Sequence, residues 1–221
     1  MQESLFENGV AKKAYANNSD TLFVWFGGIN EPFFSENFAR ESGFDCLYFI
    51  DKNYNWYTEG LAADGYGPEE FVAALTDICR RYRYVSFAGQ SSGGYASLYY
   101  ARRCNVDLVI AFAPQTRNLF DGQCGMTPKV RLADIYDLYS SAGAAERPAV
   151  LLNISRSEKD HHREFQWHDR EQIAEMATLD RVTVVTHPYD NHAVSVLMRH
   201  DAILYRYLAA MVSVYQGQRR A

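Results

Sequence analysis

Apolar residues in this chain come in short blocks, not in strict alternation with polar ones. The clearest blocks are Thr21–Phe26, Asp45–Ile50, Tyr84–Ala88, Asp107–Phe112, Ala149–Ile154 and Arg181–Thr186. Runs of this length, rich in β-branched and aromatic residues and closed by turn formers, predict strands, most of them buried on both faces. Helical patterns fill the intervals: Glu31–Ser42, Pro68–Arg81, Tyr95–Arg103, Leu132–Ser141, Asp169–Thr178 and Ala193–Val214. In the second of these, Phe71, Leu75, Ile78 and Cys79 share a face. Glu69 and Glu70 suit its positive end, and Arg80 and Arg81 its negative end. Residues 1–20 are weakly patterned and predict an irregular lead-in or an edge strand. Strands alternating with helices, the strands continuously apolar, predict a three-layer α/β/α sandwich around a mostly parallel sheet. No linker or repeat interrupts the pattern, so residues 1–221 read as one domain, with 117–148 the best place for a small cap.

Composition narrows the partners. Of 221 residues, 48% are hydrophobic and 22% charged, as in ordinary globular chains. The net charge of −5 favours neither nucleic acid nor an anionic membrane surface. No segment has the roughly 18 apolar residues that a membrane span needs. Met1-Gln2-Glu3-Ser4 lacks the basic start of a signal peptide, so the expected location is cytoplasmic. Cys46, Cys79, Cys104 and Cys124 have no zinc-type spacing and read as reduced thiols.

The chemistry concentrates after the strand Tyr84–Ala88. There the chain reads Gly89-Gln90-Ser91-Ser92-Gly93-Gly94 and then turns helical. Gly-x-Ser-x-Gly between a strand and a helix is the pattern of a nucleophile elbow, a sharp strained turn that presents a serine beside helix N–H groups. The pattern lacks the Lys-Ser/Thr ending of a nucleotide-binding loop. The bland alternative is a glycine-rich loop or a general anion-binding turn.

A serine nucleophile needs a base, and the base an orienting acid. His161, His162 and His168 precede the last strand, and His200 falls inside the terminal helix. His187 and His192 remain, and His192 is chosen because it lies deeper in the loop, where its ring can swing over the elbow. Glu158, Asp160 and Asp169 are the candidate acids. Asp169 reads as a helix-capping residue. Asp160 is chosen as the shorter carboxylate, readily held by loop N–H groups. The Asp160, His161, His162, His168, Asp169 cluster matches no common zinc spacing and reads as a solvated loop. For the oxyanion, the backbone N–H of Ser92 is one expected donor. The other comes from the loop after the first strand, Gly28 or Ile29, with no choice between them.

With these residues in view, the chain resembles the α/β-hydrolases over nearly its whole length. Phe26-Gly27-Gly28, the Gly89–Gly94 elbow and the late His192 carry the likeness. Phe26 stands where many esterases carry His. More narrowly, Asp51–Leu61 with its Trp56-Tyr57-x-x-Gly60-Leu61, and Ala111–Thr116, resemble a poorly characterised bacterial branch that often accompanies polysaccharide or glycoprotein biosynthesis. The resemblance implies an α/β-hydrolase fold with minimal cap. It implies a serine hydrolase of carboxylic esters or thioesters that needs no cofactor and acts on a small-molecule or glycan-linked acyl substrate. An acyltransferase using the same residues, and a non-catalytic interaction module, are the rivals. Trp56, Tyr57 and Tyr95 are the expected pocket wall, with Tyr95 equally readable as a packing residue.

Overall fold

The computed structural model describes residues 8–117, 132–143, 148–156 and 169–220. Its seven strands are β1 (Lys12–Tyr15), β2 (Thr21–Phe26), β3 (Asp45–Phe49), β4 (Tyr84–Gln90), β5 (Leu108–Phe112), β6 (Ala149–Ser155) and β7 (Val182–His187). They form one sheet in the order β1-β3-β2-β4-β5-β6-β7, parallel except for β1, which pairs antiparallel with β3 at the edge. The helices are α1 (Glu36–Ser42), α2 (Pro68–Cys79), α3 (Ser92–Ala101), α4 (Ile135–Ser140), α5 (Asp169–Ile173), α6 (Val194–His200) and α7 (Leu204–Arg220). Every residue of β2, β3, β4, β5 and β6 is buried, which is why those stretches are continuously apolar. One face packs Leu22, Val24, Phe87 and Val109 against α2, α3, α4 and α5. The other packs Phe23, Trp25, Ile110 and Phe112 against α1, α6 and α7.

Three of the predicted helices are interrupted by turns. The pattern from Glu31 becomes helical only at Glu36. Residues 28–31 form a tight turn, with Glu31 N–H bonded to Gly28 O (3.1 Å) and Asn30 at φ 62°. Asparagine tolerates that left-handed position, and Ser35 then caps α1 by accepting from Asn37 N–H. The terminal pattern breaks into α6 and α7 at Ala202, whose φ is 58° and whose N–H closes on Arg199 O. The segment predicted as helical over Asp169–Thr178 ends as α-helix at Ile173, and Met176–Thr178 is a 3₁₀ turn. The expected cap segment is described only in part, as 118–131 and 144–147 fall outside the described residues.

The site's place follows from topology. Strands after β2 step to one side and strands after β4 to the other, so β2 and β4 flank the switch point where sheets of this kind bind ligands. Phe26 pairs with Gly89, and Gln90 with Phe112, so β2, β4 and β5 end nearly level. Their following loops share one rim. The helix α3 lies so close to β2 and β4 that side chains are excluded. A Cβ on Gly93 would sit 2.0 Å from Phe26 O, and one on Gly89 2.3 Å from Gly93 O.

Candidate active site

Ser91 sits between β4 and α3 at φ 55°, ψ −118°, a strained conformation for a residue with a side chain. Its N–H bonds Phe112 O (2.8 Å), and its carbonyl accepts from Tyr95 N–H (2.9 Å), so the turn is tied at both ends. The hydroxyl is thereby lifted to the rim, 2.9 Å from His192 Nε2. His192 Nδ1 lies 2.8 Å from Asp169 Oδ1. For a hydroxyl that donates to Nε2, the other ring nitrogen carries the proton and donates to the carboxylate.

His192 is thus the histidine that meets the serine, and the acid beside it is Asp169. Asp160 lies outside the described residues, with Glu158, His161, His162 and His168. Among the candidate acids, Asp169 is the one whose carboxylate lies beside the imidazole in the described residues. That residue is first in α5, as expected of a capping residue, yet its side chain reaches the imidazole. What brings it there is Gln172, one turn further along α5. The Gln172 carboxamide oxygen accepts from the N–H groups of Thr116 (3.0 Å) and Arg117 (3.1 Å), and its backbone carbonyl accepts from the Thr116 hydroxyl. These bonds clamp α5 to the loop after β5.

Gln90, the last residue of β4, holds the histidine loop. Its side-chain NH₂ donates to His192 O (3.0 Å) and its oxygen accepts from Ser195 N–H (3.0 Å). The residue before Ser91 therefore holds the loop that carries His192. Gln115 is fully buried and presents Oε1 3.4 Å from Ser91 Oγ, while its NH₂ donates to Ala113 O. The hydroxyl has one proton, and the shorter contact to His192 takes it. Neither glutamine was singled out in the sequence. The Ala111–Thr116 stretch marked the loop but not the residue.

On the other flank of Ser91 lies the loop 27–31. Gly28 N–H, nominated above as an oxyanion donor, is already committed: it donates to Glu31 Oε2 at 2.9 Å. The Ile29 N–H has no acceptor among the described residues, and neither has Ser92 N–H at the first position of α3. Of the two nominated N–H groups, that of Ile29 is the uncommitted one among the described residues. The loop touches the elbow directly, since a Cβ on Gly28 would sit 3.0 Å from Gln90 O.

The aromatic residues expected to line a pocket do something else. Trp56, Tyr57 and Tyr95 are between 0 and 2% exposed and belong to the core. Tyr57 OH donates to Gly27 O (2.9 Å), and Tyr100 OH to Tyr57 O (2.6 Å). Trp56 packs edge-on against Tyr95, whose OH accepts from Ala133 N–H. A wall reading is corrected to a support reading: these rings are large apolar bodies whose polar tips brace the loops from below.

His187, the histidine passed over, makes a separate network. It lies 8% exposed at the end of β7, with Nε2 2.9 Å from Asn153 Oδ1, which also accepts from Tyr207 OH (2.5 Å). Burial pushes its pKa below the ordinary value of 6.5. Among the described residues there is no group of three or more His, Cys, Asp or Glu side chains placed to hold a metal. None of the described helices is long and apolar enough to cross a membrane. Cys46, Cys79 and Cys104 are buried free thiols.

No protein-family model matches the chain, and no curated protein matches it. Solved structures do. The capsule O-acetyltransferase of Neisseria meningitidis serogroup A superposes with a TM-score of 0.62 at 12% identity, covering 91% of this chain and 90% of that one. An esterase of Pyrococcus furiosus gives 0.60 at 11%, covering 90% and 84%. A fluorophosphonate-binding serine hydrolase of Staphylococcus aureus gives 0.58 at 14%, covering 97% and 89%. With a mostly parallel seven-stranded sheet, an elbow at its switch point and these likenesses, the chain has the α/β-hydrolase fold.

Proposed function

We propose that the protein is a serine hydrolase that cleaves a carboxylic ester or thioester through an acyl-enzyme. The observation that carries this reading is the unbroken contact Ser91 Oγ–His192–Asp169 at 2.9 and 2.8 Å. His192 Nε2 takes the Ser91 proton as Oγ attacks the acyl carbon. Asp169 holds the Nδ1 proton and stabilises the imidazolium. The carbonyl oxygen becomes an oxyanion held by the N–H groups of Ser92 and Ile29. Collapse breaks the bond to the leaving oxygen or sulfur, which takes the proton from His192. Water then adds to the acyl carbon, giving a proton to His192; collapse breaks the acyl–Oγ bond, Ser91 Oγ takes that proton back, and the free acid leaves. No step calls for a cofactor.

Transfer of the acyl group to a sugar or protein hydroxyl is the second reading. It shares every step up to the acyl-enzyme, and the fold's likeness to a capsule O-acetyltransferase supports keeping it. Product analysis with a model ester, with and without added sugar acceptor, separates the two. The primary test is covalent labelling by a fluorophosphonate. Wild type labels, while Ser91→Ala and His192→Ala do not. Unlabelled wild type favours a non-catalytic module instead, and labelled Ser91→Ala moves the nucleophile elsewhere.

A further inference from the structure

The loop that flanks Ser91 contains a carboxyl group with no place in the scheme above. Glu31 closes on Gly28 twice. Its backbone N–H donates to Gly28 O at 3.1 Å, and its Oε2 accepts from Gly28 N–H at 2.9 Å. The pairing is reciprocal, like that of a capping box, and fixes both ends of a four-residue turn. The two central N–H groups of such a turn have no acceptor inside it. Ile29 is one of them. The other carboxyl oxygen, Oε1, is shut off from solvent and makes no hydrogen bond of ordinary geometry among the described residues. Burial accordingly pushes the Glu31 pKa upward, with Gly28 N–H, Arg199, His192 and Trp25 pulling the other way. A poorly solvated carboxyl is an expensive way to satisfy one N–H group, because water does the same at a rim. What a side chain adds over water is a fixed direction.

We infer that Glu31 is a positioning residue for the oxyanion hole: by occupying Gly28 N–H it locks the 28–31 turn and leaves Ile29 N–H, not Gly28 N–H, to receive the developing oxyanion. The inference rests on the hydrolase reading. The surroundings of the loop agree with it. Tyr57 OH holds Gly27 O from below, and Gly27 N–H bonds Phe49 O (2.9 Å), so the peptides before Gly28 are already pinned. Gly28 itself sits close against the backbone of Gln90, where a Cβ would lie 3.0 Å from the carbonyl oxygen. Glu31 closes the remaining freedom by holding Gly28 N–H. Reach, not charge, is what the role requires. A carboxamide of the same length accepts from Gly28 N–H. An aspartate keeps the charge but is one methylene too short.

The test compares Glu31→Gln, Glu31→Asp and Glu31→Ala with wild type. Ser91 labelling by a fluorophosphonate, whose phosphoryl oxygen takes the oxyanion position, is followed over time. The kcat and KM for p-nitrophenyl acetate and the thermal midpoint are measured alongside. Glu31→Asp and Glu31→Ala are expected to slow labelling and lower kcat by about 10–100-fold with KM little changed, as for a misplaced oxyanion donor. Glu31→Gln is expected to recover both to within about 3-fold of wild type, whatever its thermal midpoint. Glu31→Asp at wild-type rate, or Glu31→Gln as slow as Glu31→Asp, overturns the inference. So does a loss confined to KM or to thermal stability. Wild type that neither labels nor turns over overturns the hydrolase reading itself, whereas labelled wild type with indifferent Glu31 variants overturns only the role of Glu31.

Discussion

His187 and His192 leave the same end of β7, and each touches a hydroxyl-bearing partner system, yet they are built for different ends. His192 bridges a carboxylate and a strained serine hydroxyl, with its side chain 24% exposed. His187 is buried and faces the amide oxygen of Asn153, which a tyrosine hydroxyl shares. A carboxylate stabilises the imidazolium that forms when a base accepts a proton, and a neutral amide does not. Burial without a charge partner moves His187 toward the neutral state, which suits a fixed structural donor. Two imidazoles a few residues apart therefore differ in partners, a carboxylate on Nδ1 and a serine hydroxyl on Nε2 for His192 against an amide oxygen on Nε2 for His187, and in access to solvent. That difference makes one a candidate base and the other a strut between β6, β7 and α7.

The comparison can be broken most forcefully at the serine network. Ser91→Ala or His192→Ala is expected to lower ester hydrolysis by on the order of 10⁴-fold or more while the fold stays intact, measured as kcat/KM against circular dichroism. Equal losses in His187→Gln would erase the distinction. Next comes the acid. Asp169→Asn is expected to cost roughly 10³–10⁴-fold in kcat by allowing the wrong tautomer, while Asp160→Asn stays within about 2-fold. The reverse ranking restores Asp160 as the acid.

The strut is probed through stability. Asn153→Ala leaves the His187 ring and the Tyr207 hydroxyl without their buried acceptor. The expected loss is about 1–3 kcal/mol in denaturant unfolding, with Ser91 labelling nearly unchanged. A variant that kept its stability but lost activity would put His187 in the chemistry. The smallest effect concerns pH. Because the folded pKa of His187 lies below 6.5, the folded state binds fewer protons there than the unfolded chain. Its contribution is fully present above about 6.5 and declines as pH falls below that value. Subtracting the pH profile of His187→Gln from that of wild type, between about pH 5 and 7.5, should leave this slope; a flat difference contradicts it.

The parallel strands were legible because burial on both faces forces a run of apolar residues, and Thr21–Phe26 and Asp107–Phe112 show that run in full. The elbow was legible because Gly89 and Gly93 are required by backbone contact, a constraint that leaves its mark at fixed spacing. Helix ends were less so. The Glu31–Ser42 pattern hid a turn, since Glu31 serves Gly28 instead of opening a helix, and helical period carries no trace of that. Trp56, Tyr57 and Tyr95 look the same in sequence whether they wall a pocket or fill a core. Only their burial in the folded core distinguishes the two.

Local pattern by itself settled the layering of the chain, the serine at the turn and the histidine after the last strand, because each answers to constraints between near neighbours: burial period, backbone clearance, strand-end position. The carboxylate that meets His192, the N–H left open beside Ser91 and the glutamine that anchors the base were decided by tertiary structure alone. Each depends on which far-apart segments the sheet order sets side by side. Asp169 reads from the sequence as a capping residue, and it is the Gln172 clamp of α5 onto the β5 loop that sets its carboxylate beside the imidazole.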